Sequence, residues 1–406
     1  MQRSLRTFLK AERRSLLFVT ALWLALRVLS LVGLALLSSQ RPMTAVEESV
    51  PLWPPSQPLG TWLARVALYP SLRWDAHYYL RIVERGYSVT DGTAQFHPLY
   101  PLLARPFALL GAHPLFALLL VSSAASLVLA YLVYAYAKAD HRPQVALAST
   151  LLMLTSPFGV ALFVPYPEGL FLVAAVACLL ALRRQRWALA GLMGALAVLT
   201  RQQGLLLALP MAVAVWREGR GGVPRREAFK RWAALLPIPA AYAGWIAYRA
   251  LALADVELSD WSFHDLVYGV LVSPSAAQVV PVQSFIWPWR LLRLALTQLV
   301  QRPDVDLVVN LSTGLVFVAL VVWVWRDLDW PSRAYVLAVA LVSFSYYTGP
   351  VHPLMGLPRH LLLAFPVFAA LGKRLQSNAA RIVAVGLSFL VQYFLLLLYS
   401  LEAWVL

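Results

Sequence analysis

A chain of 406 residues would ordinarily fold as two or three soluble domains, but 60% of its residues are apolar, only 13% are charged, and the mean hydropathy is +0.68. A water-soluble fold cannot hide that much apolar surface, whereas a bilayer accepts it, so the composition predicts an all-α polytopic membrane protein. The net charge of +15 belongs with cytoplasmic loops rather than a polyanion site and argues against nucleic acid as a partner. The single cysteine, Cys178, can make neither an internal disulfide nor a cysteine-rich metal site.

At the N-terminus Arg3, Arg6, Lys10, Arg13 and Arg14 precede an apolar run from Ser15 to Leu37. The run is too long for a signal-peptide core, and Leu36-Leu37-Ser38-Ser39 is a poor cleavage site, so it reads as a retained first span with a cytoplasmic N-terminus. Run lengths suited to the bilayer predict about eleven spans in all. They lie near 15–37, 114–137, 144–164, 168–182, 187–200, 204–216, 233–253, 306–325, 334–350, 357–371 and 382–404. Lys138/Arg142, Arg183/Arg184/Arg186, Arg217 through Arg231, Arg326/Arg333 and Lys373/Arg374/Arg381 fall in alternate turns. The short turns between carry almost no basic residues, which places the basic turns inside.

Two long segments, 38–113 and 254–305, fall outside; neither is Gly/Ser-rich or repetitive. The spacing of Trp74, Tyr78, Ile82 and Arg85 predicts an amphipathic helix, and Trp287, Trp289, Leu292 and Leu296 predict another lying in the interface. The expected architecture is one membrane domain over 1–406, capped by extracytoplasmic interfacial helices.

Several polar groups stand out against this background. Asp75, in Arg73-Trp74-Asp75-Ala76-His77, reads either as a helix N-cap or as a carboxylate held at the membrane surface to act as general base; the two are compatible. Glu168 opens a span on the outer face, where the helix dipole favours an acid. Arg201, in Thr200-Arg201-Gln202-Gln203-Gly204, joins two short apolar runs, which marks either a snorkelling anchor or a site at membrane depth. Arg27 interrupts the first span, where pairing with a carboxylate is the common use. Arg359, in Gly356-Leu357-Pro358-Arg359-His360, reads as an interfacial anchor or as a paired donor to phosphate. Asp304-Val305-Asp306 and Asp327-Leu328-Asp329 match a short metal and sugar-nucleotide pattern, but solvated loop acids account for the first and a cytoplasmic position for the second. No glycine-rich phosphate loop opens a helix after a strand, which argues against a nucleotide site. No metal and no cofactor is expected.

Five blocks carry a family resemblance: RWDAHYYLRIVERGY (73–87), FHPLYPLL (96–103), SPFGVALFVPYPEGLFLVAA (156–175), WALAGLMGALAVLTRQQGLLL (187–207) and GLPRHLLLAFPVFAAL (356–371). Together and in this order they resemble the PIG-V-type mannosyltransferases of the GT-C glycosyltransferase superfamily. The resemblance implies a GT-C fold and an inverting glycosyltransferase. Such an enzyme moves a sugar, mannose by analogy, from a polyprenyl-phosphate donor to a hydroxyl of a lipid-linked or glycolipid acceptor outside the cytoplasm. Asp75 is then the expected base, and Arg201 and Arg359 the expected donor-phosphate ligands, lining one cavity with it. Glu168 would orient Arg201 or contact sugar hydroxyls, and His77, His97, Tyr100, His352 and His360 would contact sugar or acceptor or support the site. Abundant Arg beside scarce Lys points to a prokaryotic plasma membrane. A transporter or flippase of a lipid-linked sugar is the alternative, since it explains the spans equally well but not the first of these blocks.

Overall fold

A computed structural model of the chain describes residues 12–38, 68–88, 91–254, 284–350 and 352–401. The larger parts of the two long outer segments, 39–67 and 255–283, therefore lie outside the described residues, as do the acids Glu47, Glu48, Asp255, Glu257, Asp260 and Asp265 and the basic residues Arg3, Arg6 and Lys10.

The fold is mostly helical. Helix α1 (Arg13–Ser38) is followed by α2 (Asp75–Arg85), α3 (Leu99–Leu109), α4 (Pro114–Lys138), α5 (Pro143–Leu154), α6 (Glu168–Arg183) and α7 (Trp187–Thr200). The second half holds α8 (Ala208–Gly219), α9 (Arg225–Ala233), α10 (Pro237–Tyr248), α11 (Pro288–Gln301), α12 (Val305–Val324), α13 (Trp330–Ser343), α14 (Leu357–Leu362), α15 (Pro366–Arg374) and α16 (Asn378–Ser400). Among the described residues, four helices, α1, α4, α12 and α16, are long and apolar enough to cross a membrane. They make the chain a membrane protein. Each of the other expected spans contains helix, but in shorter pieces.

The interruptions have local causes. The run expected at 144–164 stops being α-helical after Leu154 and turns through a 3₁₀ segment, Pro157–Leu162; Pro157 has no N–H to continue the ladder. The run at 357–371 divides into α14 and α15, with Pro366 at the start of the second. The run at 334–350 ends its helix at Ser343, and Tyr346–Tyr347 then pairs antiparallel with Ser284–Phe285. That ribbon ties the second outer segment to the approach to α14. Ends are set by caps the sequence supplies: Asp304 accepts from the Asp306 N–H at 2.9 Å before α12, and Ser377 from the Ala380 N–H at 3.0 Å before α16.

Two apolar clusters organise the packing. The larger is built from α4 through α7 with α13, α14 and α15. The smaller seats α2 and α3 against α4 and the end of α16. Helix α2 buries Ala76, Tyr79, Leu80, Ile82 and Val83 on one face, and removing Leu80, Ile82 and Val83 from water stabilises this seating by about 1.5–3 kcal/mol each. One expectation for the first span is corrected: Arg27 is buried but donates to the backbone carbonyl of Phe163, not to a carboxylate. Helix α11 carries the expected apolar face, with Trp287 and Trp289 stacked at 4.9 Å and both exposed.

Candidate active site

Helix α2 places the first functional group. Trp74 precedes it at φ +52°, a left-handed backbone that a bulky residue holds only when its surroundings impose it, at a cost on the order of 1–3 kcal/mol. Asp75 is thereby the first helical residue, not the N-cap, and no side chain caps this end. Its carboxylate instead accepts from Nη1 of Arg359, 284 residues away in sequence. Arg359 sits in α14, which starts after Gly356 at φ +75°, and its guanidinium lies 5.4 Å from the Tyr166 ring centre. The arginine is buried, and its Nε has no hydrogen-bond partner.

A second buried pair stands beside the first. Glu168 is the first residue of α6 and is fully buried; it accepts from Nη1 of Arg201, while its other oxygen has no partner. Arg201 occupies an extended residue between α7 and the 3₁₀ segment Gln202–Leu207. Its Nε also reaches Gln203 Oε1 at 3.3 Å. Gly204 makes this turn possible, because a Cβ there would lie 2.2 Å from the Val198 nitrogen. The snorkelling anchor is therefore not what the structure shows: Arg201 points inward, to a carboxylate.

Asp75 and both arginines border one cavity of about 150 Å³, whose wall includes Asp75, His97, Arg201, Arg249, Arg359 and His360 with Tyr79, Gln95, Gln202, Gln203 and Tyr346. Of the expected site residues, Asp75, Arg201, Arg359, His97 and His360 thus come together, and Glu168 stands behind Arg201. His97 is held far below the ordinary imidazole range, at about 3, by burial and then by the nearby Arg249 cation, so it is neutral. The His360 ring meets Tyr346 edge-on at 5.5 Å.

Three expected residues lie elsewhere. Tyr100 is fully buried between α3 and α4, where its hydroxyl donates to the Leu118 carbonyl at 3.0 Å and meets Ser122 Oγ at 2.7 Å; it is a packing residue. His77 is not on the cavity wall and is also lowered to about 3, by burial and then by Arg73 and Arg81. His352 stands 3.7 Å from Asp306. That contact also corrects the view of Asp306 as a solvated loop acid, since it is 8% exposed. Asp304, Asp306 and His352 offer ligand atoms within 4.8 Å of one another, a set of hard and borderline donors suited to a divalent cation. The second such pattern is structural: Asp327 pairs with Lys373 at 2.7 Å and Asp329 with Arg183 at 3.0 Å.

Sequence reasoning missed Arg249. It follows α10, opens a π-helical turn (Arg249–Ala254), and reaches the cavity while only 4% exposed. The signal was present, since an arginine inside the run 233–253 deserves the same suspicion as Arg27.

The wall combines a carboxylate able to take a proton with cations able to meet an anion, in a partly closed space where both effects are strengthened by low dielectric. Residues 95–246, which carry His97, Glu168 and Arg201, match the family described as dolichyl-phosphate-mannose-protein mannosyltransferase. The chain is also 30% identical over 222 residues to GPI alpha-1,6-mannosyltransferase 2 of Mus musculus. That stretch covers 52% of this chain and 42% of the mouse protein. Both likenesses are to mannosyltransferases, and both support the GT-C resemblance read from the five sequence blocks.

Proposed function

We propose that the protein is an inverting GT-C mannosyltransferase that uses a polyprenyl-phosphate sugar and acts on a hydroxyl of a lipid-linked or glycolipid acceptor on the extracytoplasmic face of a prokaryotic plasma membrane. The observation that carries this reading is the convergence of Asp75 with Arg201 and Arg359 on one cavity, from three distant parts of the chain. Asp75 takes the proton of the acceptor hydroxyl as its oxygen attacks the anomeric carbon. A single carboxylate and in-line attack invert that centre, so a β-linked donor yields an α-linked product. Arg201 and Arg359 meet the phosphate that leaves, and Glu168 fixes the orientation of Arg201. Residues 1–406 act as one membrane domain in this reading.

The test is transfer by purified protein given polyprenyl-phosphate mannose and a lipid acceptor extract. Asp75→Asn keeps the size of the side chain and removes its basicity, and general-base loss lowers turnover by roughly 10²–10⁴-fold. Folded Asp75→Asn protein that transfers at the wild-type rate removes Asp75 from this role. Donor that crosses liposomes with no new glycoside formed supports a flippase instead.

A further inference from the structure

Counted over the described residues, the cavity holds more positive charge than its carboxylates balance. Among the described residues, Arg359 is paired with Asp75 and Arg201 with Glu168. Arg249 is the third guanidinium on the wall, and no described carboxylate pairs with it. Its Nε and Nη2 are buried without hydrogen-bond partners, and the side chain is 4% exposed. Two more polar atoms on the same wall, Gln95 Nε2 and His97 Nδ1, are also buried without partners. An unsatisfied buried cation is costly unless an anion completes it. Three guanidiniums against two carboxylates leave one positive charge, and a sugar phosphodiester carries one negative charge.

An apolar groove of about 300 Å³ adjoins this end of the cavity, lined by Ile82, Tyr87, Leu102, Trp245 and Tyr248 among others. Trp245 and Tyr248 lead into Arg249 on the same helical segment. Trp245 lines the groove and backs onto the cavity wall: its ring lies 5.1 Å from that of Tyr87 in the groove and 5.9 Å from that of His97 in the cavity. A lipid phosphate held at Arg249 therefore has an apolar groove for its chain on the far side of the Trp245 ring.

We infer that Arg249 is the ground-state binding residue for the donor's phosphodiester, with the prenyl chain lying in the groove along Tyr87, Trp245 and Tyr248; this rests on the lipid-phosphate donor of the proposed function. The charges then balance throughout transfer. Before it, three arginines face Asp75, Glu168 and one phosphodiester charge. During it, the acceptor oxygen bonds to the anomeric carbon and its proton passes to Asp75. The bond from that carbon to the phosphate oxygen breaks, and the electron pair leaves on the phosphate as a second negative charge. Asp75, now neutral, releases Arg359, which turns to the doubly charged leaving group. Arg249 thus binds the charge present from the start, and Arg359 meets the charge that transfer creates.

The experiment measures equilibrium binding of radiolabelled farnesyl methyl phosphate, a phosphodiester carrying one negative charge, with farnesol as the neutral control, to the full chain in detergent, alongside its melting temperature without ligand. Wild type should prefer the phosphate at least tenfold. Arg249→Met should erase that preference and melt at or above the wild-type temperature, because it removes a buried charge that lacks a partner. Arg249→Lys should retain part of the preference. Arg249→Met that keeps the preference within twofold overturns the assignment and leaves the proposed function standing. So does failure of both Arg249→Met and Arg249→Gln to fold, since the empty protein should not need that cation. Wild type that binds farnesol and farnesyl methyl phosphate equally overturns the lipid-phosphate donor itself, and the assignment with it.

Discussion

Glu168 and Arg201 show how a pair beside a candidate site can carry a structural energy. Glu168 is fully buried and the Arg201 side chain is 11% exposed, so neither charge is well solvated. Removing one partner strands the other, and such a change typically costs about 3–5 kcal/mol, whereas replacing both is far milder. Glu168→Gln alone should therefore lower the melting temperature sharply, and Glu168→Gln with Arg201→Met should recover much of the loss. A double-mutant cycle on purified protein measures this coupling; additive losses would mean the ion pair contributes nothing. Transfer activity should not return in the stable double variant, because Arg201 faces the cavity as well. The sequence made Asp75, Glu168, Arg201 and Arg359 legible as polar groups in apolar surroundings. It offered Arg201 as one partner for Glu168 but did not pair Asp75 with Arg359, which lies 284 residues away. Arg249 escaped notice for the opposite reason: inside one long apolar run, a single arginine looks like a helix-end anchor until its lack of a partner is visible.

At the scale of elements, the site depends on places where helices stop. Asp75 begins α2, Glu168 begins α6, Arg201 follows α7, and Arg249 follows α10. Helix ends leave unpaired backbone groups and allow abrupt changes of direction, so polar side chains from several helices can converge there. The turn after α7 is tight. A methyl group at Gly204 would lie 2.2 Å from Val198 N and 2.5 Å from the Ala197 carbonyl carbon. Both neighbours are backbone, so the 3₁₀ segment must shift, and overpacking of this kind costs about 1–3 kcal/mol. Gly204→Ala should lower thermal stability and impair transfer together by displacing Arg201. Gly244 in α10, where an added methyl meets nothing within 4 Å, is the matched control, and Gly244→Ala should leave both unchanged. Equal behaviour of the two variants would show that the Gly204 turn does not position the arginine. Helix positions themselves were readable from apolar run length, since α4, α6 and α7 begin where the runs begin. Breaks within runs were less so: Pro157 and Pro366 were visible, but a proline can kink a helix or end it, and tertiary packing decides which.

For the whole molecule, the arrangement of charge bears on the face that the proposed function gives the cavity. Basic residues cluster at the ends opposite α2: Lys138 closes α4, Arg183 closes α6, and Lys373 and Arg374 close α15. Several are tied together there, with Arg183 holding both Asp140 and Asp329 and Lys373 holding Asp327. Basic residues in short turns tend to remain on the cytoplasmic side, and the proposed function accordingly turns α2 and the cavity away from the cytoplasm. A lipid-borne donor suits that face, because it arrives through the bilayer rather than from the cytosolic nucleotide-sugar pool. The chain is convenient for testing this, since its one native thiol, Cys178, is fully buried. Leu110→Cys, just past the end of α3 on the cavity side, and Gln376→Cys, between α15 and α16, place single thiols at exposed positions near the two opposite ends. In intact cells a membrane-impermeant maleimide should label Leu110→Cys and spare Gln376→Cys, which should react only after the membrane is opened. The reverse pattern would turn the cavity toward the cytoplasm and remove the argument for a donor delivered from the outer leaflet.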